Sequence, residues 1–530
     1  MLRGGRVIDG TGGPARAADV AVAEGRIAAI GYIPPQPGDQ VLDVTGLAVA
    51  PGFHDIHTHY DLSLAADPLP LDGLRQGITT YHVGQCGLGF APASPATQAV
   101  FRDYLAAICG TAALGCGTTG EGACATRPIP PFQSVADYLA LFKGASVHVV
   151  PILPHGLLRA EVAGMSRGPL TSQQLDRMKA LAADGMEQGA RGISTGLTYF
   201  PGSEADTAEL VAVSRVVAEH GGVYVSHLRN YTDGLLEAID EACEIGRRAG
   251  LPVQISHLRP QNKFRGRAPE VLAHVDRWRE RGVDVAFDMY TYLKGYTLMS
   301  ALFLPPEVYA GGVDAALACL RDPVHHRRLR EAWADSGAGV PPASPAGKMP
   351  APLAEAHIAC VWSERNKRFE GMTLPAFAQA VGKDVFDACM DLLIEERLRV
   401  SIVGWPIEES DLQAVLRHPL CLVGSDSIPM GGAHHPRASG CFARYLGHYV
   451  RDLGLLPLEE AIRRITSVPA RRYGLGDRGL IAPGLAADIA VFDPATIADH
   501  ATYAQPRLLA EGVRHVLVNG TVVLRDGQLA

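Results

Sequence analysis

The 530-residue sequence predicts a (β/α)8, or TIM, barrel on the strength of three observations. Eight short apolar segments alternate with helical patterns through the middle of the chain, as eight βα units would. Metal-binding residue types follow the ends of several of these segments, where a barrel carries its active site. Both ends of the chain hold further short strands. A doubly wound parallel sheet is the structural alternative, because strand counts from one sequence are prone to error.

The predicted barrel strands are apolar runs bounded by turn residues. The first leads from the apolar run 47–49 into residues 51–59, where alternation along a strand would point His57 and His59 the same way. The remaining seven are 77–84, 147–152, 190–195, 222–227, 252–257, 283–288 and 420–426. Between them, Thr171 and Gln174 form a capping-box pattern that starts a helix running to about Gln188.

The flanking segments predict two additional units. Residues 1–50 and 478–530 contain short strands with tight-turn pairs such as Glu24-Gly25 and Asn519-Gly520, and neither set has enough strands to be stable alone. We therefore expect one β-sandwich domain built from both termini, with the barrel over residues 51–477.

About 130 residues separate the last two barrel strands, whereas a βαβ unit has about 30. This excess predicts an inserted small domain or lid over residues 298–400.

Composition excludes several classes of function. The net charge is −8 without a basic run, which argues against nucleic acid as a partner. No apolar run reaches the roughly 18–20 residues of a membrane span, and the polar N-terminus lacks a signal-peptide pattern, so a cytoplasmic location is expected.

Ten cysteines are sparse for this length and are expected to be reduced. Cys109, Cys116 and Cys124 share a Gly/Ala-rich loop but match no zinc spacing, which favours incidental cysteines.

Six side chains of metal-binding type follow predicted strand ends. A lone His-x-His pair is as often structural as metal-binding, but six such residues at one end of a barrel predict a metal site. Two histidines with one cysteine thiolate suit zinc and leave a coordination position open. The six residues, in chain order, are His57, His59, Cys86, His227, His257 and Asp426.

The predicted ligands also predict a reaction. Zinc makes water a nucleophile near neutral pH and polarises a carbonyl group. A neighbouring carboxylate can take a proton from water and pass it to a leaving nitrogen, and Asp426 is the candidate for this role. A carboxylate that caps the next loop is the alternative for Asp426. Hydrolysis of an amide is the reaction class that this assembly favours.

Short motifs along nearly the whole chain carry a family resemblance. They are GRVIDGTG at 5–12, PGFHDIHTH at 51–59, GQCG at 84–87, ISTGL at 193–197, SH at 256–257, GSD at 424–426, HPR at 435–437, AD at 487–488 and VNG at 518–520. With these motifs the sequence resembles the metal-dependent amidohydrolase superfamily, and within it the N-acyl-D-amino-acid deacylases, or D-aminoacylases.

The resemblance implies a zinc-dependent hydrolase that cleaves an N-acyl-D-amino acid to a carboxylate and the free amino acid. It assigns the tighter zinc to Cys86, His227 and His257, a second and weaker site to His57 and His59, and the role of general base and acid to Asp426. Many superfamily members bridge two metals with a carboxylated lysine. The corresponding segment here, 192–202, contains no lysine, and the resemblance puts Cys86 in its place.

The resemblance also implies substrate-binding residues. Arg437 would clamp the substrate carboxylate through two hydrogen bonds, and Arg259 stands where the family commonly has lysine. Tyr290 and Tyr292 correspond to a tyrosine pair of the family. For this pair, packing beneath the loop is as strong an interpretation as substrate contact.

Two departures from the family lie near the expected substrate. Thr291 stands where the family has proline, and Tyr296 stands where a small hydroxyl residue is usual. These departures put the usual substrate in question without touching the metal ligands. A cyclic-amide or ureido hydrolase of the hydantoinase or dihydroorotase type is the alternative function, and Arg437 discriminates the two. A non-catalytic scaffold is less compatible, because all six positions are filled. The oligomeric state stays open.

Overall fold

The computed structural model describes residues 1–106, 129–335, 355–428 and 434–530. Cys109, Cys116 and Cys124 lie outside these residues, as does the Pro/Gly-rich segment 337–352. The strands of the described chain are β1 (Leu2–Val7), β2 (Arg16–Ala23), β3 (Arg26–Gly31), β4 (Leu42–Asp43), β5 (Ala48–Pro51), β6 (Phe53–Asp55), β7 (Ile78–Val83), β8 (His148–Pro151), β9 (Leu153–Pro154), β10 (Gly192–Gly196), β11 (Val223–His227), β12 (Val253–Ile255), β13 (Val285–Met289), β14 (Gly295–Leu298), β15 (His357–Cys360), β16 (Ser401–Gly404), β17 (Cys421–Val423), β18 (Ile489–Phe492), β19 (Val513–Val518), β20 (Thr521–Arg525) and β21 (Gln528–Leu529).

Helices fill the intervals between the strands. The predicted capping box is present, because Thr171 Oγ1 accepts a hydrogen bond from the Gln174 amide and the Gln174 side chain accepts one from the Thr171 amide. The α-helices are Ser63–Ala66, Leu71–Leu74, Pro95–Tyr104, Val135–Ala140, His155–Ala163, Ser172–Glu187, Thr207–Glu219, Leu235–Ala249, Ala268–Glu280, Ser300–Phe303, Val313–Arg321, Pro323–Asp335, Leu374–Val381, Val385–Glu395, Glu409–Arg417, Arg437–Arg444, Leu458–Ile465 and Ser467–Arg472.

The predicted barrel is confirmed. Parallel pairs run β6-β7-β8 and β9-β10-β11-β12-β13-β17, and β8 and β9 are two halves of one strand interrupted at Ile152. A parallel bridge between Thr58 and Ser427 joins the first strand to the last. This closure excludes the doubly wound alternative, whose sheet would have two free edges.

The apolar run 47–49 was predicted to lead into the first barrel strand, and this prediction was wrong. β5 pairs with β1 and with β18 in the terminal sheet, whereas β6, one residue further along, pairs with β7 in the barrel. Both strands are buried, and only Gly52 separates the apolar β5 from β6, so the sequence pattern merged them. His57 and His59 consequently lie in the turn after β6 and outside any strand.

The remaining strands form two further sheets. Residues from both termini make one sheet in the order β21-β20-β19-β18-β5-β1-β2-β3, with β4 on β1, and Arg26 of β3 also bridges Ala486, three residues before β18. Between β13 and β17 a small antiparallel sheet, β14-β16-β15, packs with the helices from Val313 to Glu395. None of the described helices has the length and apolar character needed to cross a membrane.

Candidate metal and substrate site

The barrel strands bring the five predicted histidine and cysteine ligands to one end of the barrel. They form two overlapping triads whose ligand atoms all lie within 4.8 Å of one another. His57, His59 and Cys86 make the first triad, and Cys86, His227 and His257 make the second. The thiol of Cys86 therefore belongs to both triads.

The separations within the triads match those of ligands around one ion. Nδ1 of His227 lies 3.1 Å from Nε2 of His257, and Sγ of Cys86 lies 3.8 Å from Nε2 of His257 and 3.2 Å from Nε2 of His57. Tetrahedral zinc with bonds of about 2.1 Å to nitrogen and 2.3 Å to sulfur places neighbouring ligand atoms roughly 3.3–3.6 Å apart. The observed distances bracket this range, and the donor types are those that zinc prefers, so the residues fit a zinc ion.

Left-handed backbone conformations aim several of these side chains. Cys86 has φ 55°, His257 has φ 31° and Asp426 has φ 50°. Non-glycine residues in this region carry about 1–3 kcal/mol of strain and concentrate at functional sites. The loop of Cys86 packs against the end of β10, where residue 196 must be glycine because a Cβ there would collide with the Cys86 carbonyl oxygen.

The histidines around the shared position favour a thiolate there. Burial raises the pKa of the Cys86 thiol, but the imidazoles of His57, His227 and His257 outweigh burial and hold this pKa well below its usual range. The thiolate is the form of cysteine that binds a metal.

Asp288 was missed by the sequence analysis. Its Oδ1 accepts hydrogen bonds from His57 Nδ1 at 3.1 Å and from the His257 amide at 2.8 Å, and its Oδ2 accepts one from Gln254 at 3.1 Å. A carboxylate behind a ligating histidine fixes the ring orientation and leaves the other nitrogen for the metal. The sequence placed Asp288 at the end of a predicted strand, as it did His227, but carried no signal for its pairing with His57.

Asp426 lies between the histidines and an arginine. Its Oδ1 is 3.3 Å from His59 Nε2 and 3.6 Å from His57 Nε2, and its Oδ2 is 2.9 Å from Arg437 Nη1. Burial raises the pKa of Asp426, but Arg437 and the histidines outweigh burial and hold it well below the usual range. The carboxylate is therefore ionised near neutral pH and able to accept a proton.

Arg437 is completely buried at the start of the helix Arg437–Arg444. Its guanidinium carbon lies 4.6 Å from the Tyr290 ring centre and 5.7 Å from that of Tyr296. Nε and Nη2 find no hydrogen-bond partner within the described ranges. A buried guanidinium with unused donors is suited to an anionic ligand.

The other predicted substrate residues divide into two groups. Tyr290, Tyr296 and Arg259 line the cavity above the triads, and Arg259 donates to the Tyr290 hydroxyl. Tyr292 is not among the residues that line the cavity, and its hydroxyl donates to Asp499 at 2.9 Å. Tyr292 is therefore packed outside the cavity lining. Packing of this kind is one of the two interpretations that the sequence left open for Tyr292, and substrate contact is the other.

A cavity of about 510 Å³ opens over the triads. Its lining includes His59, Cys86, His227, His257 and Asp426, together with residues that the sequence analysis missed. Among these are Tyr199, whose hydroxyl lies 3.0 Å from Thr297 Oγ1, and Tyr231, whose hydroxyl donates to the Ser256 carbonyl at 3.0 Å. The size of the cavity is typical of small-molecule sites.

Comparisons with known proteins agree with this geometry. The sequence profile of the amidohydrolase family matches residues 40–524. The chain is 34% identical over 528 residues to the N-acyl-D-glutamate deacylase of Alcaligenes xylosoxydans xylosoxydans, covering 99% of this chain and 93% of that protein.

Solved structures extend the similarity to three dimensions. The crystal structure of a D-aminoacylase is similar with a TM-score of 0.78 and 32% identity, over 100% of this chain and 97% of that one. The N-acyl-D-glutamate deacylase of Bordetella bronchiseptica, complexed with zinc and a phosphonate mimic of the tetrahedral intermediate, gives 0.79 and 32% over 100% and 98%. The chain therefore belongs to the amidohydrolase family and is a hydrolase of the kind that the D-aminoacylases represent.

Proposed function

We propose that this protein is a zinc-dependent deacylase that hydrolyses the amide bond of an N-acyl-D-amino acid to a carboxylate and the free D-amino acid. The observation that carries the proposal is the placement of Asp426, which lies within 3.3 Å of a metal-binding triad on one side and 2.9 Å from the buried Arg437 on the other. A carboxylate between candidate metal ligands and a buried guanidinium supports a role for Asp426 as the proton acceptor.

The protein would hold zinc through Cys86, His227 and His257, with His57 and His59 available for a second and weaker site. When bound there, zinc supplies Lewis acidity that polarises a carbonyl and makes water more nucleophilic near neutral pH. Asp288 orients His57 through the hydrogen bond to Nδ1.

Asp426 performs the proton transfers in this proposal. Its carboxylate takes a proton from the attacking water and delivers it to the amide nitrogen as the carbon–nitrogen bond breaks. The low pKa of Asp426 keeps it ionised and ready to accept the proton. The carboxylate of the amino acid would bind in the cavity beside Arg259 and Tyr290, with the buried Arg437 against the ring of Tyr290. The similarity to D-aminoacylases supports the D configuration.

The proposal is tested with zinc-supplied protein, racemic N-acetyl amino acids and chiral analysis of the released amino acid. We expect release of the D form alone, and no release by Asp426→Asn at equal zinc content. Hydantoin and dihydrouracil serve as competing substrates. Hydrolysis of these cyclic amides, without hydrolysis of N-acetyl amino acids, would replace the proposal with the cyclic-amide alternative. A cytoplasmic location is proposed with the activity and is tested by cell fractionation.

A further inference from the structure

One wall of the cavity is apolar and comes from the segment inserted between β13 and β17. The wall is formed by Leu298, Leu302, Phe303, Leu304, Pro306 and Leu329. Leu298, Phe303 and Leu304 are buried. The wall forms part of the same cavity as the triads, so a substrate whose amide reaches Asp426 has this wall beside it.

The two arginines that line the cavity in the described part of the chain are not available to a second carboxylate, one on the side chain of the substrate. Arg229 makes two hydrogen bonds of 2.9 Å to Glu241 and further ones to the carbonyls of Ser203 and Ala205. Arg259 lies beside Tyr290 and donates to two main-chain carbonyls. Within the described ranges, no lysine or arginine belongs to the apolar wall. A carboxylate placed against this wall would lose its hydration without gaining a partner, which disfavours binding.

The size of the cavity adds a second constraint. A volume of about 510 Å³ lies within the range of pockets that enclose drug-sized ligands. An acetyl group and a small amino acid would leave much of the apolar wall without contact. A larger apolar group would cover the wall and displace its water, which is the favourable exchange that drives hydrophobic binding.

From these observations we infer that the preferred substrate carries a bulky apolar group and that an acidic side chain is disfavoured. The inference rests on the proposed deacylase function and specifies its substrate class. The apolar group can be the acyl chain or the amino acid side chain, since both extend from the same amide. This preference would separate the chain from its relative named for N-acyl-D-glutamate.

Two substrate series distinguish the sources of the apolar group. The first lengthens the acyl chain from acetyl to octanoyl on D-alanine, and the second changes the side chain of N-acetyl-D-amino acids from alanine to leucine, phenylalanine and glutamate. We expect kcat/KM to rise in at least one series, by up to about fourfold for each methylene group that becomes buried. The D-glutamate substrate should be poorer than the D-leucine substrate.

A variant tests the role of the wall itself. Leu302 is partly buried, and Leu302→Arg would place a cation at the wall, whereas Leu508→Arg adds the same charge at an exposed site. We expect Leu302→Arg to reduce the apolar preference at least tenfold and Leu508→Arg to leave it unchanged. If Leu302→Arg does not fold, Leu302→Ala should flatten the dependence on chain length.

The outcomes separate the inference from the function on which it rests. Hydrolysis with a preference for D-glutamate, or with no dependence on apolar size in either series, would overturn the inference and leave the deacylase function standing. Absence of hydrolysis for every N-acyl amino acid would overturn both.

Discussion

Nη2 of Arg259 lies 2.6 Å from the main-chain carbonyl oxygen of Trp405, a residue with the left-handed φ of 56°. The same nitrogen donates to the carbonyl of Leu293 at 2.9 Å. Leu293 precedes β14 and Trp405 follows β16, so one guanidinium joins the points where the chain enters and leaves the inserted segment. Arg259 therefore connects both ends of the inserted segment to the barrel at the edge of the cavity.

The first prediction concerns this connection. Arg259→Lys retains the charge but replaces the planar, five-donor guanidinium with a single ammonium, which cannot hold Tyr290 and both carbonyls in the same geometry. We expect KM to rise about tenfold, corresponding to about 1.4 kcal/mol, and cleavage of the inserted segment by protease to become faster. Arg265→Lys is the control, since Arg265 pairs with Glu408 at the surface. An unchanged KM with unchanged proteolysis would contradict the role assigned to Arg259.

The second prediction concerns the shared thiol. Cys86→Ser removes one ligand from both triads, so we expect zinc content to fall and kcat/KM to drop by at least about 100-fold, since even outer-shell changes cost 10–100-fold. Metal analysis of the purified variants and steady-state kinetics measure the two effects. Cys319→Ser, at a partly exposed cysteine in the inserted segment, should retain both zinc and activity. Full zinc content in Cys86→Ser would exclude Cys86 as a ligand.

The third prediction separates the two tyrosines of the pair. Tyr292→Phe removes the hydrogen bond to Asp499 outside the cavity lining, so we expect the free energy of unfolding to fall by about 1–2 kcal/mol with KM unchanged. Tyr290→Phe, in the cavity, should instead raise KM. Denaturant unfolding and kinetics on the same preparations test both expectations, and a raised KM in Tyr292→Phe would return this residue to the substrate site.

The fourth prediction concerns a buried ion-pair cluster away from the triads. Oε1 of Glu209 lies 2.9 Å from His155 Nε2, and its Oε2 pairs with Arg159, which is 1% exposed. Glu209→Gln leaves Arg159 buried without a counter-ion, so we expect the free energy of unfolding to fall by about 3–5 kcal/mol at pH 7. Glu187→Gln, at an exposed glutamate, is the control and should change it by less than about 0.5 kcal/mol.

The pH dependence of this difference follows from the pKa of Glu209. Burial raises this pKa, but His155 and Arg159 outweigh burial, and the folded-state pKa lies below the usual 4.5. The stabilisation is therefore fully present above about pH 4.5 and is lost as the pH falls through the folded-state value. The stability difference between wild type and Glu209→Gln should shrink on acidification. A difference that is constant from pH 7 to pH 3 would exclude this ionisation as its source.

The sequence predicted those parts of the site that depend on periodic strands. His227 and His257 are one βα period apart and lie on or just after neighbouring strands, and Asp426 follows the last strand as expected. Each position follows from local patterns that repeat along the chain. The barrel could be counted for the same reason.

The parts that the sequence could not predict depend on packing between distant segments. Asp288 acquires its role only because barrel closure places it against His57, 231 residues earlier in the chain. Tyr292 follows the same motif as Tyr290, and its placement was decided by Asp499 in the C-terminal segment. No local pattern distinguishes β5 from β6, because hydrogen-bond partners from opposite ends of the chain separate them.

The pairing of β5 with β18 also makes the metal site dependent on a distant part of the chain. β18 holds β5 in place, only Gly52 separates β5 from β6, and His57 lies two residues beyond β6. A truncation before residue 489 would remove the hydrogen bonds of β5 on that side and loosen the segment that presents His57 and His59. We therefore expect a chain that ends before residue 489 to bind metal at the first triad less tightly than the full chain, although every residue of both triads is present in it.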